Sequence, residues 1–120
     1  MGAQVVIHGI KACDTMKKAQ TWLDGHGVAY DFHDYKKAGV PAAELPRWLA
    51  ALGWEKVLNR AGTTWRKLDE AQRAAVVDAG SAAALMQAQP SVIKRPLVQW
   101  PDGSLSVGFD AADWARRLKG

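Results

Sequence analysis

A chain of 120 residues that is 48% apolar and carries six tryptophans is long enough to bury a core and too apolar to stay disordered. Its one cysteine excludes an internal disulfide, and no apolar run approaches the ~18 residues of a membrane-spanning helix. The net charge of +4 comes without a long run of like charges or a basic stretch interleaved with aromatics, so nucleic acid is not an expected partner. The start "MGAQ" leads straight into apolar sequence without a basic leader or cleavage pattern. No secretory signal is expected, and the cytoplasm is the expected location.

In chain order, "VVIHG" (5–9) is a short apolar run closed by Gly9 and reads as a buried strand. Met16, Ala19, Trp22 and Leu23 then fall on one helical face, and "GHG" (25–27) ends the helix. "VAYDFHDY" (28–35) alternates Val28, Tyr30 and Phe32 with polar or small residues and predicts a second strand. The right-handed crossover of such a βαβ unit makes its two strands parallel neighbours.

"PAAELPRWLAALGW" (41–54) places Leu45, Trp48, Leu49 and Leu52 at helical spacing, with Pro46 tolerable only in the first turn and Gly53 as the stop. "NRAGTTWRKL" (59–68) has no period and reads as a loop. "DEAQRAAVVDA" (69–79) and "SAAALMQAQ" (81–89) predict two helices, the second with Ser81 as its N-cap. In "PLVQWPDGSLSVGF" (96–109) two short apolar runs flank a Pro-Asp-Gly turn, a hairpin pattern. Asp110 then caps a last helix that carries Ala112, Ala115 and Leu118 inward. With the middle removed, the order is βαβ followed by ββα. The predicted fold is therefore α/β and thioredoxin-like: one domain over residues 1–120, with a helical insert at about 41–90.

The cysteine, Cys13, stands where the first strand joins the first helix. Unpaired N–H groups and the helix dipole there favour a thiolate. Lys11 and Lys17 are near in sequence and would add positive charge, and Thr15 offers either a hydroxyl to the sulfur or a cap to the helix. The same residue would serve equally as a small buried side chain. "SVIKRP" (91–96) precedes the hairpin. A proline at the start of such a strand is often cis and close to the active sulfur, which would bring Arg95 to the mouth of the site, where a guanidinium can grip an oxyanion. The alternative is an ordinary solvated strand start. Arg60 and Arg66, around Gly62, Thr63 and Thr64, suit anion binding; the alternative is an exposed loop with Trp65 tucked into the core. His8, His26 and His33 show no metal-ligand spacing with Cys13, and no metal is expected.

"HGIKACDT", "FHDY", "LNRAGTTWRKL" and "QPSVIKRPLV", in this order, resemble the arsenate reductase-like family, which includes glutaredoxin-coupled arsenate reductases and Spx-like regulators. The resemblance covers roughly residues 5–115 and is closest to small proteobacterial proteins described as glutathione-dependent thiol reductases. It implies a thioredoxin-like sheet with a helical insert, Cys13 as nucleophile, Pro96 beside it, and glutathione as the external thiol that acts on an oxidised thiol or oxyanion substrate. It also implies three arginines for arsenate. Arg95 matches one of them, Asn59 (with Arg60 beside it) stands at the second position and Gly108 at the third, which argues against arsenate itself. The Spx-like regulators carry Cys-x-x-Cys, and Met16 occupies the second of those positions here. The expectation is a cytoplasmic monothiol oxidoreductase using Cys13 and glutathione, with Arg60 and Arg66 helping to hold the substrate or the glutathione carboxylates. The alternative is a non-catalytic adaptor or regulator that binds a protein partner such as RNA polymerase.

Overall fold

The first apolar run forms β1 (Val5–Gly9), one of the two inner strands of the sheet in a computed structural model that describes residues 5–11 and 13–119. Helix α1 (Asp14–Gly25) buries Met16, Ala19 and Leu23, the face expected from their spacing, and leaves Trp22 half-buried. β2 (Tyr30–Asp34) returns parallel to β1, with Val5 opposite Tyr30 and Gly9 opposite Asp34. Tyr35 does not extend the strand as expected. It opens a one-turn helix, α2 (Tyr35–Ala38).

β3 (Leu97–Gln99) pairs antiparallel with β1 and with β4 (Leu105–Val107), giving a four-stranded sheet of order β2-β1-β3-β4. The hairpin turn needs Gly103, whose φ of 89° few other residues adopt. Helix α8 (Ala111–Lys119) follows, and Asp110 accepts the Asp113 N–H at 3.1 Å as its cap. Trp114 rather than Ala112 turns inward on α8. The indole is fully buried and Ala112 is exposed, because the large ring gains far more from leaving water than a methyl group does. Val5, Ile7, Met16, Leu23, Val98, Trp100 and Trp114 form the core of this part, completing a thioredoxin-like βαβ-ββα plan.

By its internal contacts the chain divides into two compact units, a sheet unit (1–34 with 95–120) and a helical unit (35–94). The helical unit contains α3 (Leu45–Leu52), with Pro46 in its first turn and Gly53 at its end, and α4 (Trp54–Val57). Residues 59–68 are not all loop: α5 (Thr63–Lys67) is a single helical turn, too short to show a period in sequence. The expected helix over 69–79 ends early, as α6 (Glu70–Ala74), because Asp78 leaves it to start the next. Asp78 is the true N-cap of α7 (Ala79–Ala88). Ser81, expected as the cap, is its third helical residue and completes a capping box with Asp78. A 3₁₀ turn (Pro90–Val92) and a bridge between Leu58 and Ile93 close the unit. Buried Leu45, Trp48, Leu49, Val57, Ala82 and Met86 belong to α3, α4 and α7, which pack together. No helix among the described residues is long and apolar enough to cross a membrane.

Candidate functional site

Gly9 ends β1 and sets how closely α1 can approach. A Cβ there would lie 2.5 Å from the Met16 sulfur, so the bare backbone makes room for the first buried residue of the helix. Two residues beyond the described Lys11, with Ala12 outside the described residues, Cys13 takes the N-cap position with extended backbone (φ −111°, ψ 131°). Its carbonyl accepts the Lys17 N–H at 3.0 Å and begins the helical ladder. The side chain is half-buried and packs against the sheet-unit core.

Burial pushes the Cys13 thiol up, but other influences outweigh it and leave the thiol below its ordinary value. In order of size they are the Met16 N–H, the charge of Arg95, the Thr15 N–H and a hydrogen bond from the Arg95 guanidinium. The resting side chain closes no cap hydrogen bond of its own, so the two N–H groups act on sulfur as dipoles aimed along the helix start. The arrangement favours a thiolate.

Arg95 arrives from the segment between the 3₁₀ turn and β3. The Arg95–Pro96 peptide bond is cis and Pro96 is buried. The Pro96 carbonyl accepts the Gly108 N–H at 2.9 Å, which ties this corner to the end of β4. Gly108 has a φ of 86°, so a side chain at that position would strain the backbone. The site therefore assembles Cys13, Arg95 and two backbone N–H groups on the sheet unit.

Thr15 contributes its backbone rather than an evident hydroxyl contact, and its side chain is exposed. Lys11 is exposed, and so is Lys17, which lines a shallow hollow with Lys18, Trp22 and Phe109. Arg60 and Arg66 belong to the helical unit. Arg60 lies over the Trp54 ring at 5.6 Å and the Trp65 ring at 6.0 Å, while Arg66 Nη2 donates to the Ala61 carbonyl at 2.8 Å. Asn59 Oδ1 accepts the Ala61 N–H at 3.2 Å and shapes this loop. Trp65, which the exposed-loop alternative would tuck into the core, is half-buried beneath Arg60. The sequence pointed to the unpaired N–H groups of the helix start, and to Arg95 and the lysines for charge, without singling out one donor; the Met16 N–H is the one that lowers the thiol most. Its signal was positional, since the third residue after a cap always presents an unpaired donor. Among the described residues, no three of His, Cys, Asp and Glu come together in a way that could hold a metal ion.

A βαβ-ββα sheet with one cysteine at the start of its first helix and a cis-proline before β3 defines a thioredoxin-like domain with a single-thiol site. The chain belongs to the ArsC family, whose profile matches residues 8–117. It is 58% identical to a protein named YFFB, whose structure superposes with a TM-score of 0.90 over 96% of this chain and 99% of that one. An arsenate reductase (ArsC) related protein from Brucella melitensis is 54% identical, with a TM-score of 0.75 over 98% of this chain and 97% of its own. An uncharacterized protein of Haemophilus influenzae is 34% identical over 110 residues, 92% of this chain and 95% of that protein.

Proposed function

We propose that this protein is a cytoplasmic monothiol oxidoreductase in which Cys13 is the nucleophile and glutathione is the thiol that completes turnover. The observation that carries this reading is the convergence of the Arg95 guanidinium and the Met16 and Thr15 N–H groups on the Cys13 sulfur, which leaves the thiol more acidic than an ordinary one. ArsC family membership supports thiol chemistry at this cysteine.

The cycle starts with the Cys13 thiolate attacking the glutathione sulfur of a mixed disulfide between glutathione and a substrate thiol. The substrate–glutathione S–S bond breaks, the substrate leaves as a thiolate and takes up a proton, and Cys13 is left in a disulfide with glutathione. The chain has no second cysteine to resolve that disulfide. The thiolate of a second glutathione attacks the bound glutathione sulfur, releasing oxidised glutathione and restoring the Cys13 thiolate. In total one glutathione sulfur, that of the incoming thiol, is oxidised to the disulfide level and one substrate sulfur is reduced to a thiol; the first glutathione sulfur is at the disulfide level at the start and at the end. Arg95 carries the compensating charge whenever Cys13 is anionic.

Arsenate is a poor fit. The backbone at Gly108 disfavours any side chain, so an arginine is not readily supplied from that corner. Incubation with oxidised glutathione tests the thiol reading by mass spectrometry. One glutathionyl adduct should form on Cys13 and none on Cys13→Ser, and only the wild type should reduce a glutathione mixed disulfide in the presence of glutathione. Absence of the adduct, or activity retained in Cys13→Ser, would remove the proposal.

A further inference from the structure

Beyond the reactive sulfur, the outer face of α1 carries a groove with its own chemistry. One turn after Cys13, the side-by-side Lys17 and Lys18 border a hollow floored by Thr21, Trp22 and Phe109. Trp22 is shared with a second hollow, whose remaining walls are His26, Val28, Ala115 and Leu118. The two form one strip, basic at the Cys13 end and apolar beyond it. Asp and Glu are absent from the lining of both hollows.

The anchor of the strip is preorganised. The Trp22 indole is stacked on His26 at 3.9 Å and 23°, and the edges of Phe109 and Trp114 meet it at 6.5 and 5.7 Å. His26 is itself tied down, because its Nδ1 donates to the Trp22 carbonyl at 2.8 Å, and a carbonyl can only accept. A half-buried tryptophan fixed on three sides loses little freedom when something covers it, as in binding hot spots.

We infer that this strip docks an acidic, apolar segment of the protein that carries the oxidised sulfur, with carboxylates on Lys17 and Lys18 and apolar side chains on Trp22, Val28 and Leu118. The inference rests on the thiol reading above, and charge complementarity selects the occupant. A basic segment would meet the lysine pair with no carboxylate to relieve it, and a purely apolar one would leave the charged end unused. The direction also fits. A segment lying along α1 brings the residue next to its acidic end toward Cys13, so docking and attack are served by the same approach. Protein mixed disulfides with acidic flanks are thereby the preferred substrate class over small disulfides.

The test is a titration of the full-length protein with a synthetic peptide in which two Glu precede Leu and Phe on one helical face, and with its twin bearing Lys in place of Glu. Amide NMR shifts and Trp fluorescence report binding, and glutathione adduct formation at Cys13 is measured in the same samples. The acidic peptide should move signals of residues 17–28 and 109–118 and bind at least about tenfold tighter than the basic twin. Lys18→Glu should weaken it roughly three- to tenfold. Ala115→Glu should weaken it too, while adduct formation is unchanged in both variants. Equal binding of both peptides, binding of neither, equal binding of a thymidine oligonucleotide, or a dimer in light scattering that Ala115→Glu dissolves would each overturn the assignment. An adduct without peptide binding removes this inference alone. Peptide binding without an adduct removes the oxidoreductase reading, and with it the oxidised-sulfur substrate, and leaves the strip as a docking surface for an acidic, apolar segment.

Discussion

Arg95 in the sheet unit directs its guanidinium at a sulfur, whereas Arg60 in the helical unit lies over two indoles. Arg95 and the Met16 and Thr15 N–H groups, which lower the Cys13 thiol, belong to the sheet unit, as Cys13 does. The frameworks differ as well. In the sheet unit Trp114 meets the edges or faces of Trp22, Trp100 and Phe109 at centroid distances of 5.7, 5.2 and 4.8 Å. The helical unit is built from short helices, of which α6 and α7 have their starts fixed by Asp69 and Asp78 capping boxes. One unit holds the reactive group on a continuous aromatic core, and the other packs α3, α4 and α7 around a mainly aliphatic core and adds local capping hydrogen bonds at α6 and α7.

The sharpest test of that contrast is Trp114→Ala. The ring is fully buried, and removing it leaves a cavity among three aromatic neighbours, so the expected loss is about 3–5 kcal/mol in urea denaturation. Near-UV circular dichroism should fall with it, since the ordered rings give much of that signal. A loss below about 1 kcal/mol would mean that the cluster does not hold the sheet unit together, against the usual cost of emptying such a site.

A second comparison sets the two arginines against each other. Arg95→Ala removes both a charge and a hydrogen bond from the sulfur, so the Cys13 thiol should move back up toward its ordinary value. Alkylation at neutral pH should slow several-fold, and the pH profile should shift upward. Arg60→Ala should leave that profile where it is and cost about 0.5–1 kcal/mol of stability through its contacts with Trp54 and Trp65. Equal effects of the two variants on the profile would erase the distinction between the units.

How far such contrasts were visible in the sequence depended on the range of the forces involved. β1, α1 and the β3–β4 hairpin were legible because apolar spacing and turn residues are local and strong. The end of β2 was not, because an aromatic such as Tyr35 suits a strand end as well as it suits the buried helical turn that it opens. The one-turn α5 is shorter than any readable period. The break between α6 and α7 turned on a competition between Asp78 and Ser81 for one cap, and the two residues settle it by sharing a box. Ala112 misled because alanine is nearly indifferent to burial, whereas Trp114 two residues on is not. In the site, the meeting of Cys13 with Arg95 followed only once the sheet order was assumed, since nothing local links them. The N–H groups of Thr15 and Met16 carry no side-chain signature at all.

The smallest expected effect concerns the same local device in the two units. The Ser81 N–H and hydroxyl both donate to the Asp78 carboxylate at 2.8 Å, and together they hold it below its ordinary value of 3.8. In the hairpin turn the Ser104 hydroxyl and N–H do the same for Asp102, at 2.7 and 2.9 Å. A carboxyl depressed in the folded state stabilises the fold above its unfolded value, and that contribution drains away as pH falls through the lower folded value. Asn caps a helix nearly as well as Asp, so Asp78→Asn isolates the charge. It should lower the thermal midpoint at neutral pH, and its difference from wild type should close in acid below the ordinary carboxylate range. Asp102→Asn should follow the same pH course with a smaller amplitude, because Asp78 starts the ten residues of α7 whereas Asp102 orders only a turn. A larger shift for Asp102→Asn would mean that the hairpin contributes more to holding the chain than the capped helix does.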